Sequence, residues 1–130
     1  MQKNSFVDFG LLILRIGIGL MFIFHGWPKM AGGPKFWEGI GQTMGIFGIK
    51  FAPAFWGFMA AFSELFGGVC LILGIFVKPA CTLMFITMFV ASSKHLLGGE
   101  GLNVASHAIE MAIVFISLFL IGPGKYSLGK

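Results

Sequence analysis

Four apolar runs, each near the length needed to cross a bilayer, dominate the chain and leave little else for it to become. The first, Phe9 to Phe24, is broken only by Arg15. The second, Pro53 to Val77, holds one charge, Glu64. The third starts at Pro79 and meets Lys94 and His95 near Leu97; the fourth, Val104 to Ile121, carries His107 and Glu110. A hydrocarbon core of ~30 Å takes about 20 residues at ~1.5 Å each. Without water to satisfy backbone groups, such runs must be helical. The expected spans are therefore 8–26, 53–77, 79–97 and 104–122, in a single membrane domain covering 1–130.

Composition supports this reading. Of the 130 residues 57% are hydrophobic and 11% charged, where a soluble domain carries about a quarter charged. A domain this small cannot bury that much apolar surface, so the excess faces lipid. A disordered chain, a disulfide scaffold and a free cytosolic enzyme are excluded. Eight lysines contribute most of the net charge of +4, but they form no run. Nucleic acid would require clustering, so none is expected as a partner. The lysines read as surface anchors, with Lys3, Lys78, Lys125 and Lys130 on one side and Lys29, Lys35, Lys50 and Lys94 on the other. That is a tie under the positive-inside rule. Cys70 and Cys81 lack a CxxC spacing and read as small buried apolar groups.

Pro53 and Pro79 suit helix starts, and Gly122-Pro123-Gly124 suits the end of the fourth helix. Arg15 interrupts the first run too deeply for a signal peptide, so a permanent span is expected. The segment from Trp27 to Ala52 is too polar and glycine-rich to cross. Within it Phe36, Trp37, Ile40, Met44 and Phe47 share one side of a short helix, opposite Lys35, Glu38, Gln42 and Thr43. This predicts an amphipathic interfacial helix between the first and second spans. Trp27, Trp37 and Trp56 flank it as an aromatic belt. The fold class expected is all-α, a four-helix transmembrane bundle with that helix inserted. Gly10, Gly17, Gly67 and Gly74, with Gly19 and Gly68 beside them, predict close helix packing. Gly17-Ile18-Gly19 is no dinucleotide fingerprint, because no strand-turn-helix surrounds it.

Ionisable groups inside a bilayer are costly and mark functional sites or buried pairs. Measured from the surface bearing the termini, Arg15 lies ~10 Å deep and Glu64 ~20 Å. Glu110 falls at ~18 Å, His107 at ~22 Å, His95 at ~24 Å and His25 at ~25 Å on the same ruler. This convergence predicts a shared polar chamber nearer the tryptophan-rich connection. Glu64, His107 and Glu110 are the candidates for proton transfer, since His107 and Glu110 share a face one turn apart. Arg15, His25, Lys29 and His95 are the candidates for ligand binding. A salt bridge to a carboxylate is the expected fate of Arg15, with Asp8 one choice. Three histidines and two glutamates also admit a metal, ranked below a plain hydrogen-bonded network because the Glu-x-x-His repeat of di-iron bundles is missing.

The sequence resembles the DoxX family of small membrane proteins. The resemblance rests on Leu14-Arg15-Ile16-Gly17, His25-Gly26-Trp27-Pro28-Lys29, and Glu64 followed by Gly67-Gly68 and Leu73-Gly74. It continues through Glu110 to Gly122-Pro123-Gly124-Lys125-Tyr126-Ser127-Leu128, whose Gly-Pro-Gly-x-Tyr-Ser-Leu pattern is the most specific part. The resemblance implies a four-helix bundle in the bacterial inner membrane. Because the family is named with the DoxD subunit of thiosulfate:quinone oxidoreductase, it also implies electron transfer to quinone. Three functions are therefore expected to compete. The first is a redox-associated subunit binding a quinone-like molecule. The second is a small-molecule or ion transporter, which with four short spans would need a homo-oligomer. The third is a membrane anchor for soluble redox proteins.

Overall fold

The computed structural model describes residues 3–129; Lys130, expected as an anchor, lies outside them, as does the side chain of Lys3. Five α-helices follow one another: α1 (Lys3–Ala31), α2 (Gly33–Gly41), α3 (Pro53–Leu73), α4 (Val77–Leu97) and α5 (Leu102–Ile121). A 3-10 segment, Gln42–Phe47, extends α2. Four of these helices, α1, α3, α4 and α5, are long and apolar enough to cross a membrane. α2 is the short helix between the first and second spans, as its amphipathic pattern predicts.

Helix limits follow local chemistry. Pro53 occupies the first turn of α3, where its missing N–H has no partner to lose. Gly74 ends that helix at φ 73°, a left-handed conformation that spares a residue without Cβ. The chain turns at once, and α4 begins at Val77, ahead of Pro79. α1 continues past the apolar run through Pro28 to Ala31. Pro28 has no N–H to give the carbonyl of Phe24 one turn back.

α3 is the pivot of the bundle, packing against α1, α2 and α4, while α5 packs on α4. Small residues make these approaches possible. A methyl group at Gly19 would lie 2.6 Å from the Gly68 carbonyl oxygen, and one at Gly68 would lie 2.7 Å from that of Gly19. A Cβ at Gly41 would overlap the Pro53 carbonyl, and one at Gly57 that of Trp37. α2 is therefore held backbone to backbone on the first turns of α3. The thioether of Met84 fills the space left by Gly67.

α1 and α5 meet differently from the pairs just described. Among the described residues no Cα pair between them comes within 8 Å, so they meet through large side chains alone. Phe22 and Phe115 stack edge to face at 5.1 Å between centroids, and both are buried. Ile13, Leu20, Phe89, Ile113 and Leu120 point outward, as lipid contact requires.

Candidate functional site

Two polar stations lie at opposite ends of this bundle. At the connection end, Gly26 lets α1 approach α3, since a Cβ there would lie 2.9 Å from the Leu65 nitrogen and 3.1 Å from the Glu64 Cβ. Glu64 is thus pressed against α1, almost fully buried. One turn past Gly26, Lys29 turns inward and places Nζ 2.8 Å and 3.1 Å from the two Glu64 oxygens. The indole N–H of Trp37 donates to the Lys29 carbonyl at 3.0 Å, which ties α2 to the same point. The Lys29 side chain keeps 36% of its accessible surface against 4% for Glu64. The pair is therefore reached from outside through its lysine.

His25, one turn before Lys29, extends into the seam between α1 and α5. Its ring lies 6.4 Å from that of His107 and edge-on to Phe22 and Phe24. Both imidazoles are exposed. Four groups from α1, α3 and α5 thus occupy one end of the bundle: a buried carboxylate, its ammonium partner and two facing imidazoles. Chemically this set can hold the oxygens of a small polar ring and exchange protons with them.

The remaining candidates lie apart. Glu110 is exposed on α5 and is not brought together with Glu64, so the two carboxylates share no chamber. His95 reaches Glu100 in the α4–α5 loop at 2.6 Å rather than the bundle interior. Among the described residues no group of three or more His, Cys, Asp or Glu side chains is placed to hold a metal ion.

Arg15 forms the second station, at the end bearing the termini. It is fully buried and reaches backbone carbonyls instead of a carboxylate: Leu71 at 3.3 Å and Tyr126. Asp8 takes the Lys125 N–H at 3.1 Å and so is not its counterion. The last turn of α3 leaves carbonyls without helical partners; the guanidinium finds one of them, Leu71, together with the Tyr126 carbonyl of the tail. The tail after α5 folds back over them, with the Leu128 and Gly129 N–H groups donating to Leu73 and Gly74, each at 3.1 Å.

Glu100 and Trp37 were missed as partners at the sequence level. Glu100 has a legible signal, a carboxylate five residues beyond a helix-terminal histidine. The inward turn of Lys29 has a weaker one: Glu64 is the only charge in its span, and the nearest cation on the facing helix must serve it.

Four membrane-length helices, two of them joined by an ion pair buried on its carboxylate side, define a small integral membrane protein. The DoxX family model matches residues 10–96, and the chain belongs to the DoxX family. It is 30% identical to inner membrane protein YphA of Escherichia coli, over 100% of this chain and 99% of that one. It is 29% identical to inner membrane protein YqjF of the same organism, over 95% and 92% of the two chains. A Bacillus subtilis relative, named "Putative oxidoreductase CatD", is 32% identical over 92% of this chain and 84% of its own. No solved structure matches. With its four spans and these relatives, the protein is a multi-pass inner membrane protein.

Proposed function

We propose that this protein is a redox-associated membrane subunit that binds a quinone-like molecule at the connection end of the bundle. The observation that carries the reading is the Lys29–Glu64 pair, buried on the carboxylate side and accessible on the ammonium side. The facing His25 and His107 at the α1–α5 seam support it, because a lipid-soluble ring reaches such a seam sideways from the bilayer. The name of the Bacillus relative points the same way. Reduction of a quinone to a quinol adds two electrons and two protons. In this reading Lys29 and His25 hold the ring oxygens, Lys29 and His107 each pass on one proton, and Glu64 holds Lys29 in place and takes part in its reprotonation. The electrons come from a soluble reductant protein docked at the membrane surface.

Trp37 is bonded to the Lys29 backbone, which provides a readout. Titrating the protein in nanodiscs with a short-chain ubiquinone analogue should quench tryptophan fluorescence saturably. Glu64→Gln should weaken the affinity roughly tenfold, as loss of a charge-assisted hydrogen bond requires, and His107→Ala should weaken it less. Quenching that never saturates, or an unchanged curve for Glu64→Gln, would overturn the proposal.

A further inference from the structure

We infer that the end of the bundle bearing the termini holds the phosphate group of an anionic phospholipid, in the hollow where the tail crosses the end of α3. This stands independently of quinone binding, which is proposed at the other end. The starting point is a charge imbalance. The chain has five acidic residues, and Asp8 is the one at this end. Glu38, Glu64 and Glu100 belong to the connection end, and Glu110 lies roughly 16 Å along α5 from Ile121. Asp8 accepts the Lys125 backbone N–H. Against it stand Arg15, Lys78 and Lys125. The two lysines approach the rings of Phe119 and Tyr126, at 5.5 Å and 6.0 Å, rather than a carboxylate.

Arg15 carries the largest unmet demand. It is fully buried, and among the described residues it enters neither ion pair. Its Nε–H is buried without an acceptor. A guanidinium keeps its charge, and a buried charge with no anion near it is destabilising. The tail brings this charge close to the surface. A Cβ on Gly74 would collide with Arg15 Nη1 and would also lie 2.7 Å from the Ser127 Cβ. The guanidinium therefore lies directly behind Ser127. Ser127 in turn lines an open hollow of about 430 Å³, together with Ile72, Leu73, Lys125, Tyr126 and Leu128. Its hydroxyl is held only by a long bond to the Gly124 carbonyl, at 3.3 Å.

The walls of the hollow select its occupant. Ile72, Leu73 and Leu128 make an apolar side, and Lys125 and Ser127 a polar one. Leu73, Tyr126 and Leu128 are exposed where α3 stops, at the level where hydrocarbon gives way to headgroups. A phospholipid is divided in the same way. Its phosphate suits the Lys125 ammonium and the Ser127 hydroxyl through charge-assisted hydrogen bonds, and its glycerol and first acyl carbons suit the leucines. A free phosphate fits the polar side alone. Basic pockets at the ends of membrane helices take anionic headgroups in this manner. Arg15 keeps its carbonyl partners and acts from behind, as a fixed positive charge felt strongly across a low-dielectric interior.

The test uses the full chain, released into native mass spectrometry from nanodiscs of equal phosphatidylglycerol and phosphatidylcholine. One phosphatidylglycerol should stay bound, and phosphatidylcholine should be retained far less. Lys125→Gln should lower the affinity for phosphatidylglycerol roughly tenfold, and Ser127→Ala should lower it less. Lys50→Gln, exposed at the connection end, should leave it unchanged. All three alter surface groups, so helical circular dichroism should match the wild type. The Leu128 and Gly129 amides, which pair with Leu73 and Gly74, should exchange more slowly in phosphatidylglycerol than in pure phosphatidylcholine. Adding millimolar inorganic phosphate to the latter should not restore that protection. Equal retention of the two lipids, or equal losses in Lys125→Gln and Lys50→Gln, would overturn the inference. So would full protection by inorganic phosphate alone, which would make the ligand a soluble anion.

Discussion

Arg15 and Lys29 lie on the same helix, roughly four turns apart, and both carry a positive charge into an apolar bundle. Arg15 is sealed from solvent and meets only backbone carbonyls from α3 and the tail. Those partners have no proton to exchange, and the guanidinium cannot lose its own. Lys29 is part exposed and meets a carboxylate, with two imidazoles nearby. Every group there can gain or lose a proton. The first cation fastens the fold; the second belongs to a place where chemistry can happen.

The largest effect should follow from breaking the Arg15 clamp. Arg15→Met strands two carbonyls and frees the tail, and should cost about 3 kcal/mol at ~1–3 kcal/mol per unsatisfied buried group. Arg15→Lys should restore less than half, because an ammonium lacks the fork that spans two acceptors. Chemical unfolding in detergent measures the loss. Hydrogen exchange at the Leu128 and Gly129 amides should accelerate in step. Tail amides that remain protected in Arg15→Met would break the comparison.

Lys29 and Glu64 should give a smaller, lopsided effect. Lys29→Met leaves a buried carboxylate uncompensated and, discounted for the partial exposure of the lysine, should cost ~2 kcal/mol. Glu64→Leu leaves a lysine that can swing toward water and should cost roughly half as much. The double variant should cost less than the sum by at least ~1 kcal/mol in a double-mutant cycle. Equal single costs would mean that the lysine is as enclosed as its partner.

The smallest effect belongs to His95, whose partner Glu100 is exposed. His95→Ala should change stability by no more than ~0.5 kcal/mol and should leave quinone affinity untouched. A large loss of binding would return His95 to the site.

The four spans and the connecting helix were legible because apolar run length and amphipathic spacing are local properties. Depth along each helix was legible for the same reason, and it placed Glu64, His25 and His107 toward one end. Direction around the helix was not. Glu110 shares its depth with Glu64 but faces outward, since the rotation of α5 is set by Ala108, Met111 and Phe115 packing into the core. The carbonyl partners of Arg15 were hidden because one, Leu71, is a helix-end backbone group and the other, Tyr126, belongs to a tail distant in sequence. The inward turn of Lys29 depends on how closely Gly26 lets α1 meet α3.

The distinction between a fastening cation and a working one is tested most directly by thermal unfolding in nanodiscs, with and without a short-chain ubiquinone analogue at tenfold excess over its dissociation constant. Ligand at that excess should stabilise the wild-type protein by about 1.4 kcal/mol. Arg15→Lys, though less stable at the outset, should gain the same increment, and Glu64→Gln at the same ligand concentration should gain little. No gain in the wild type, or an equal gain in Glu64→Gln, would contradict the assignment of the Lys29–Glu64 pair as the binding site.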